Sequence, residues 1–332
     1  MDSRGLAPLE KHGDHRGNGG GGAAHFRITI LGGKMYVGNF EEAFQSRGSF
    51  TLWGFAQLMR RYGGKLPDLE LIFDCNDRPV VEAEKYEAAG AIPPPLFKYC
   101  ADNRTVDIVF PDWSFWGWTE DWDEEARKAF NQTNLANQCT HRYKIYAQGW
   151  GWSVSEKYIL ACNSPTLLIN SRWHDFFSRG LIPQRHYWPI RDAQKCSSIK
   201  FAVEYGNNHT AKAKKIGEAG SHFAHEALKM ENIYDYMFHL LNEYAKLFKY
   251  KSKIPPNATQ LCSELLACPA QGKLMEFMEE TIEKSPSDSP PCKMPPPFKL
   301  RDLGDFARAN MEAINEVEAL EDEYGRKQYE RK

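Results

Sequence analysis

Apolar and polar residues follow one another along the chain in patterns that predict a mixture of strands and helices. Residues 26–30 (FRITI) and 35–39 (MYVGN) flank the turn sequence LGGK and predict a β-hairpin. Residues 49–64 repeat apolar side chains at helical spacing, which predicts an amphipathic helix that ends at Gly63. The apolar run at 68–74 predicts a buried strand. Together these patterns predict an α/β fold.

A second region combines two predicted strands with a glycine-rich turn and a helix. Strands are predicted at 142–148 and 166–170, and Gly149 and Gly151 follow the first of them. The order of strand, glycine-rich loop, helix and strand is half of a nucleotide-binding unit, in which the N–H groups that begin the helix attract phosphate. The spacing is G-x-G-x-S, not G-x-G-x-x-G, so the pattern alone favours a plain turn.

The limits of that helix are predicted from its end signals. Ser153 and Glu156 have the S-x-x-E spacing of a capping box, in which each side chain bonds a backbone N–H of the other residue. The helix is predicted to end near Asn163, because Pro165 cannot continue it.

Further elements are predicted on both sides of this region. Strands are predicted at 94–100, 107–113 and 185–190. Helices are predicted at 209–229, 232–250, 273–284 and 301–329, the last of them charged and lying on the surface. Residues 1–24 are polar and glycine-rich and are predicted to be disordered.

Composition limits the classes of function. The 332 residues suffice for two domains. Lysine and arginine number 42 and acidic residues 44, and this balance argues against non-specific binding to nucleic acid. The eight cysteines form no C-x-x-C pair, so a structural metal is not expected.

Four N-x-[ST] sequons together with an even number of cysteines indicate an oxidising, secretory compartment. The sequons are at Asn103, Asn131, Asn208 and Asn257. The N-terminal residues contain no apolar stretch typical of a signal peptide or membrane anchor. We therefore expect that an anchor is missing from this chain.

A few residues are candidates for chemistry. Asp77 follows the predicted strand at 68–74, where α/β sheets place ligands, although Asp before Pro79 is also ordinary turn chemistry and the pattern alone favours the turn. The aromatic block 111–118 suits either a platform for a sugar ring or a wedge between domains. The D-x-D sequence at 121–123 lies in a charged run typical of a solvated helix start, which does not favour a metal site. His186 is expected to be a core histidine.

Five blocks of the sequence resemble the Rumi-type protein O-glucosyltransferases, and the plant branch of that family in particular. In chain order they are LPDLELIFDCNDRPVV, FPDWSFWGW, QCTHRYKIYAQGWGWSVSEKYILAC, FFSRGLIPQRHYWPIR and MFHLLNEYAKLFKYK. The resemblance extends from about residue 26 to 298 and includes a C…MPPP tail.

The resemblance implies a GT-B fold, in which two Rossmann-like domains face each other across a cleft. An acceptor domain is expected at 25–118, a donor domain at 119–250, and a proline-rich tail with a surface helix at 251–332. The implied reaction transfers glucose or xylose, with inversion, from a UDP-sugar to a hydroxyl of a protein or glycan. No cofactor or obligatory metal is expected, and the implied compartment is the lumen of the Golgi or endoplasmic reticulum.

The resemblance also implies roles for individual residues. Asp77 corresponds to the family's catalytic base, and Cys139 and Cys162 correspond to a family disulfide. The donor-binding segment corresponds to Trp150, Gly151, Trp152, Ser153, Val154 and Ser155. An arginine of animal relatives is replaced by Ser155, so Lys157 is expected to supply the positive charge. The wall of the sugar or acceptor site is expected to comprise Trp113, Phe115, Trp116 and Trp118.

The chain departs from the family between the aromatic block and residue 138. Family members carry several dozen further residues there, including donor contacts, whereas this chain passes directly from one block to the next. The alternative to an active transferase is therefore a truncated, catalytically inactive relative that acts as a binding or scaffold protein.

Overall fold

The computed structural model describes residues 24–38, 41–117, 135–169 and 171–330. These residues form a mixed α/β structure that divides into two compact units. Unit 1 is Met1–Asp123 with Met230–Lys293, and unit 2 is Glu124–Lys229 with Met294–Lys332. Residues 230–293 thus group with unit 1, whereas the sequence prediction assigned them to the donor domain and the tail.

The described residues form nine strands and nine α-helices. Up to residue 169 they are β1 (Phe26–Leu31), β2 (Lys34–Gly38), α1 (Arg47–Tyr62), β3 (Leu69–Phe73), α2 (Ala83–Ala88), β4 (Leu96–Lys98), β5 (Ile108–Val109), β6 (Lys144–Tyr146), α3 (Ser155–Leu160) and β7 (Thr166–Ile169). They continue as β8 (Trp188–Ile190), α4 (Lys195–Asn208), α5 (Thr210–Ala227), α6 (Met230–Ala245), β9 (Thr259–Leu261), α7 (Ser263–Ala267), α8 (Gly272–Thr281) and α9 (Leu300–Glu330).

Unit 1 contains a mixed sheet with the strand order β5-β4-β3-β1-β2-β9. The predicted hairpin is confirmed: β1 and β2 pair antiparallel around Gly32 and Gly33, whose positive φ angles of 57° and 73° suit glycine. The predicted strand at 68–74 is confirmed as β3. It pairs antiparallel with β1 and parallel with β4, and β4 pairs parallel with β5. The carboxyl ends of three parallel strands therefore lie at one edge of the sheet.

Helix α1 supplies much of the apolar core of unit 1. It ends as predicted at Gly63, which has a φ of 30° and donates its N–H to the carbonyl of Met59. Phe55 of this helix stacks on Phe110, with ring centroids 4.7 Å apart, and packs edge-on against Phe73. These contacts hold the start of α1 near the carboxyl end of β3.

Unit 2 contains the parallel sheet β6-β7-β8. Its core includes Leu167 and Trp188 from the strands and Phe201 from α4. Helix α9, which was predicted to lie on the surface, is partly buried instead: its Val317 joins this core and its Glu321 is only 7% exposed. One face of α9 therefore packs against the rest of unit 2.

Within the described ranges, no helix is both long and apolar enough to cross a bilayer.

Candidate functional site

Asp77 lies just beyond the carboxyl end of β3, and its carboxylate is partly open to solvent. The side chain is 35% exposed, and its Oδ1 accepts a hydrogen bond from Nη1 of Arg47 at 2.5 Å. Arg47 is the first residue of α1, and the same Nη1 also approaches the carbonyl of Cys75 at 3.4 Å. The guanidinium therefore fixes one carboxylate oxygen of Asp77 at the sheet edge where open α/β sheets place their ligands.

The backbone around Asp77 is anchored by buried polar groups. Sγ of Cys100 donates to the carbonyl of Asp77 at 3.1 Å. Next to it, Nζ of Lys98 pairs with Oδ2 of Asp74 at 2.7 Å, and neither side chain is exposed. Nδ1 of His25 lies 3.1 Å from the other oxygen of Asp74. This buried network holds the turn that presents Asp77.

The pKa values near this turn follow from burial and from these partners. Burial alone would raise the pKa of Asp74, but the hydrogen bond with His25 and the charge of Lys98 outweigh it, so that pKa is lowered. Burial raises the pKa of Cys75 to about 12. Asp74 is therefore a structural anion, and Cys75 is a neutral thiol that does not compete with Asp77 as a base.

The contact of Arg47 with Asp77 has no signal in the local sequence, because the two residues are 30 positions apart and only the fold brings them together. The guanidinium of Arg47 also lies 5.2 Å from the ring centre of Phe44, which is 64% exposed. No pattern in the sequence pointed to either residue.

The aromatic block at 111–118 is mainly part of the core of unit 1. Trp116 is fully buried and donates Nε1–H to the hydroxyl of Tyr234 at 3.0 Å, and Trp113 is 4% exposed. Neither ring presents a face to solvent, and their role in a sugar or acceptor wall stays a prediction. Phe115 is half-buried, and Trp118 lies outside the described residues.

The buried position of Trp116 predicts that Gly54 of α1 cannot be enlarged. A Cβ added at Gly54 would lie 2.8 Å from three atoms of the Trp116 ring. We expect Gly54→Ala to lower the free energy of unfolding by about 1–3 kcal/mol, measured by urea denaturation. The matched control is Gly304→Ala in α9, where nothing lies within 4 Å and no loss is expected. Equal stability of Gly54→Ala and the wild type would contradict the close packing.

The predicted donor segment surrounds the start of α3 in unit 2. Trp150 is 70% exposed, Trp152 is 6% exposed, and Gly151 is buried. Ser153, Val154 and Ser155 are half-buried. The segment follows β6, so it lies at the carboxyl edge of the parallel sheet, but its role as a phosphate cradle stays a prediction.

The predicted capping box is wrong. Helix α3 begins at Ser155, the N–H of Ser153 donates to the hydroxyl of Tyr146, and the N–H of Glu156 donates to the carbonyl of Ser153. Oγ of Ser153 instead contacts the Oγ and the N–H of Ser155, at 2.8 and 3.4 Å. The Glu156 side chain cannot reach back to Ser153, because it is turned into the interior and is only 4% exposed.

Two charged residues in the first turn of α3 are buried. Burial, together with the nearby carboxylate of Asp175, raises the pKa of Glu156 well above its usual value, although the charge of Lys157 opposes this shift. Lys157 is 8% exposed, and its ammonium donates to the carbonyl of Val154 at 3.2 Å. The positive charge predicted for donor binding is therefore close to the segment, and its role there stays a prediction.

The disulfide between Cys139 and Cys162 is confirmed. It ties the turn before β6 to the end of α3, across 23 residues of sequence. We expect that replacing both cysteines by serine lowers the free energy of unfolding by about 3 kcal/mol, because the open loop gains entropy in the unfolded chain. Thermal unfolding of the double variant and of the reduced wild type should show similar losses. An unchanged unfolding temperature in both would contradict this expectation.

Glycosylation requires an exposed asparagine, and the sequons that the structure describes meet this requirement. Asn103, Asn208 and Asn257 are exposed, whereas Asn131 lies outside the described residues. Their modification stays a prediction. No group of three or more His, Cys, Asp or Glu side chains suited to a metal ion occurs within the described ranges.

The chain is similar to several glycosyltransferases of animals. It is 22% identical over 261 residues to the O-glucosyltransferase rumi homolog of Aedes aegypti, covering 57% of this chain and 64% of that protein. It is 21% identical over 260 residues to O-glucosyltransferase rumi of Drosophila melanogaster, covering 57% and 62%. Protein O-glucosyltransferase 1 of Homo sapiens is 21% identical over 299 residues, covering 68% and 73%. The chain thus spans less than two thirds of the length of the two insect relatives.

In the longer alignments, many positions of the relatives have no counterpart in this chain. The Aedes alignment is 261 residues long, but 57% of 332 residues is only about 189, so roughly 70 positions of the relative have no counterpart here. The human alignment is 299 residues long and covers 68% of the chain, which leaves a deficit of similar size. The alignment to Protein O-glucosyltransferase 1 of Mus musculus is shorter, at 133 residues. It covers 40% of this chain, which is also about 133 residues, so it shows no such deficit. The chain is therefore shorter than these longer-aligned relatives over the region that the alignments cover.

One protein family matches the chain in two stretches. The family described as "Glycosyl transferase family 90" matches residues 4–121 and 119–321. The two stretches meet within the region, after the aromatic block, where the sequence departs from the family. Together these stretches include most of the chain. The resemblance inferred from the sequence blocks is confirmed, and the chain belongs to glycosyl transferase family 90.

Proposed function

We propose that this protein is an inverting glycosyltransferase that moves glucose or xylose from a UDP-sugar to a hydroxyl of a protein or glycan. The observation that carries the proposal is Asp77, a partly exposed carboxylate held by Arg47 at the carboxyl edge of the unit 1 sheet. Membership of a glycosyltransferase family supports the reaction class. The relatives named as protein O-glucosyltransferases support glucose as the sugar and protein as the acceptor.

In the proposed reaction, Asp77 acts as the general base. Its carboxylate removes the proton of the acceptor hydroxyl while the oxygen attacks the anomeric carbon of the donor. The bond from that carbon to the UDP oxygen breaks on the opposite face, and UDP leaves with the electron pair, so the configuration inverts. Arg47 holds one oxygen of Asp77 and leaves the other free to receive the proton.

On the donor side, we propose that Trp150–Ser155 holds the UDP diphosphate and that Lys157 contributes positive charge. Backbone N–H groups at the start of a helix stabilise a developing phosphate charge without a metal ion, which supports a metal-independent reaction. The segment follows the first strand of the parallel sheet, a position that suits a nucleotide. A GT-B arrangement is part of the same proposal, supported by the parallel strands found in each unit.

We propose that the protein works in the lumen of the Golgi or endoplasmic reticulum. The disulfide between Cys139 and Cys162 supports an oxidising compartment, because such bonds are rare where thiols are kept reduced. The exposed sequons at Asn103, Asn208 and Asn257 support the same location.

The second candidate is an inactive relative that acts as a binding or scaffold protein. The deficit of roughly 70 aligned positions favours it, because a block of that size can carry donor contacts. A folded protein that fails to bind UDP would support this alternative over the enzyme.

The proposed activity is tested with radiolabelled UDP-glucose and UDP-xylose in the presence of EDTA. The purified, disulfide-intact protein is incubated with a secretory-pathway extract, which is then separated into protein and polysaccharide fractions. We expect label from one donor to enter one fraction and to be released with inverted configuration at the anomeric carbon. Absence of transfer with both donors, with and without added Mn²⁺, would contradict the enzyme proposal.

A further inference from the structure

The sheet of unit 2 has two edge strands, β6 and β8, which differ in how well they are protected. Within the described part of the chain, each of them pairs with β7 alone. The middle residue of β8 is Pro189, which has no N–H to offer a further strand, and all three residues of β8 are buried. The middle residue of β6 is Ile145, which is exposed. The β6 edge is therefore the one that remains open to pairing.

Ile145 directs its backbone polar groups away from β7. The N–H of Lys144 donates to the carbonyl of Pro165 at 3.0 Å, and the parallel register places Ile145 beside Leu167. Successive residues of a strand direct their N–H and C=O groups to opposite sides, so Lys144 and Tyr146 bond to β7 whereas Ile145 does not. The N–H and the carbonyl of Ile145 are therefore both at the open edge of the sheet.

The side chain of Ile145 is unusually open for a strand of a parallel sheet. It is 50% exposed, whereas Lys144 and Tyr146 on either side of it are 4% and 1% exposed. Parallel sheets are normally covered on both faces. Natural edge strands are commonly protected by a charged side chain or a proline, and Ile145 is neither. One residue thus presents a backbone donor, a backbone acceptor and an apolar side chain at the same edge.

These features suit a second copy of the same strand. When two copies of β6 run antiparallel about a two-fold axis through this edge, Ile145 lies opposite Ile145 of the second copy. The two residues then exchange both N–H···O=C hydrogen bonds, and their side chains lie next to each other on one face. In this register Arg142 lies opposite Gln148 and Lys144 opposite Tyr146, so no like charges face each other. The edge is therefore complementary to itself, as a two-fold interface requires.

We infer that two copies of this chain associate by antiparallel pairing of their β6 strands, which joins two three-stranded sheets into one. Strand β6 has only three residues, so the contact is smaller than the interface of a stable dimer. The association is therefore weak and depends on protein concentration. It does not rest on the proposed UDP-sugar function, because its hydrogen bonds come from the backbone of β6.

Sedimentation velocity of the full-length, disulfide-intact protein tests the pairing over about a hundredfold range of protein concentration. We expect the wild type to shift from monomer to dimer as the concentration rises. Ile145→Lys and Ile145→Glu each place two like charges opposite one another, so each variant alone should associate at least about tenfold more weakly. An equimolar mixture of the two should recover association, because opposite charges then face each other across the two-fold axis. The control is Ile254→Lys, which changes an exposed isoleucine of unit 1 and should dimerise as the wild type does.

Ile145→Pro tests the backbone hydrogen bonds separately from charge. Proline removes the outward N–H but leaves the bonds of Lys144 and Tyr146 to β7, so association should weaken at least about tenfold while the unfolding temperature stays close to the wild-type value.

Three results would overturn the inference. They are a wild type that stays monomeric at every concentration, a folded Ile145→Lys variant that dimerises as well as the wild type, and a mixture of Ile145→Lys with Ile145→Glu that stays monomeric. A wild type that dimerises in this way but binds no UDP would remove the donor proposal and leave this inference standing.

Discussion

Asp77→Asn is expected to lower the rate of sugar transfer by about 10²–10⁴-fold, the contribution typical of a positioned general base. Asparagine keeps the size of the side chain and an oxygen for Arg47, but it cannot accept the proton of the acceptor hydroxyl. Asp77 is partly exposed, and it bonds to Arg47 and Cys100 of unit 1, whereas the predicted donor segment belongs to unit 2. UDP affinity and unfolding temperature should therefore stay close to the wild-type values.

The control for this variant is Asp288→Asn, which removes the same charge from an exposed residue of unit 1. Transfer rates are measured as UDP released per enzyme under saturating donor. A rate for Asp77→Asn within threefold of both the wild type and Asp288→Asn would rule out Asp77 as the base.

Lys98→Met is expected to lower the free energy of unfolding by about 3–5 kcal/mol, because it leaves the carboxylate of Asp74 buried without its cation. Both side chains of the pair are fully buried, so solvent cannot replace the lost partner. Methionine preserves most of the volume, which makes the loss of charge the main change. The Asp77 turn follows Asp74 directly, so the variant should also lose transfer activity.

Chemical denaturation at several pH values measures this effect. The folded pKa of Asp74 is lowered, so its stabilisation is fully present above the unfolded value of about 4 and is lost as the pH falls through the lower folded pKa. The control is Lys85→Met, since Lys85 is 69% exposed and its pair with Glu82 contributes little. A loss in Lys98→Met no greater than that in Lys85→Met would show that the buried pair does not stabilise unit 1.

Helices and strands with regular apolar spacing could be predicted from the sequence. Helix α1 and strand β3 are amphipathic or continuously apolar, and Gly63 supplies the left-handed residue that ends the helix. Helix α4 was missed because its sequence, KCSSIKFAVEYGNN, begins with residues of modest helix propensity. Its stability comes from tertiary packing, in which Phe201 and Ala202 join the core of unit 2.

Tertiary packing also decides features of the candidate site that local sequence does not report. The capping box failed because Glu156 is buried beside Asp175, a contact that the S-x-x-E spacing does not report. The burial of Trp116 could not be predicted, because aromatic clusters suit both ligand sites and cores. The pair of Arg47 with Asp77 depends on the packing of α1 against the sheet, which local sequence does not specify.

The central claim is that this chain still binds the nucleotide of a sugar donor although it lacks roughly 70 positions that its relatives possess. Calorimetric titration of the purified, disulfide-intact protein with UDP tests it most directly, with circular dichroism and thermal unfolding to show that the protein is folded. We predict saturable one-to-one binding in the presence of EDTA, and the same affinity for Asp77→Asn. If the folded wild type does not bind UDP, with or without Mn²⁺, the claim is contradicted. The chain would then belong to the family without using a UDP-sugar donor.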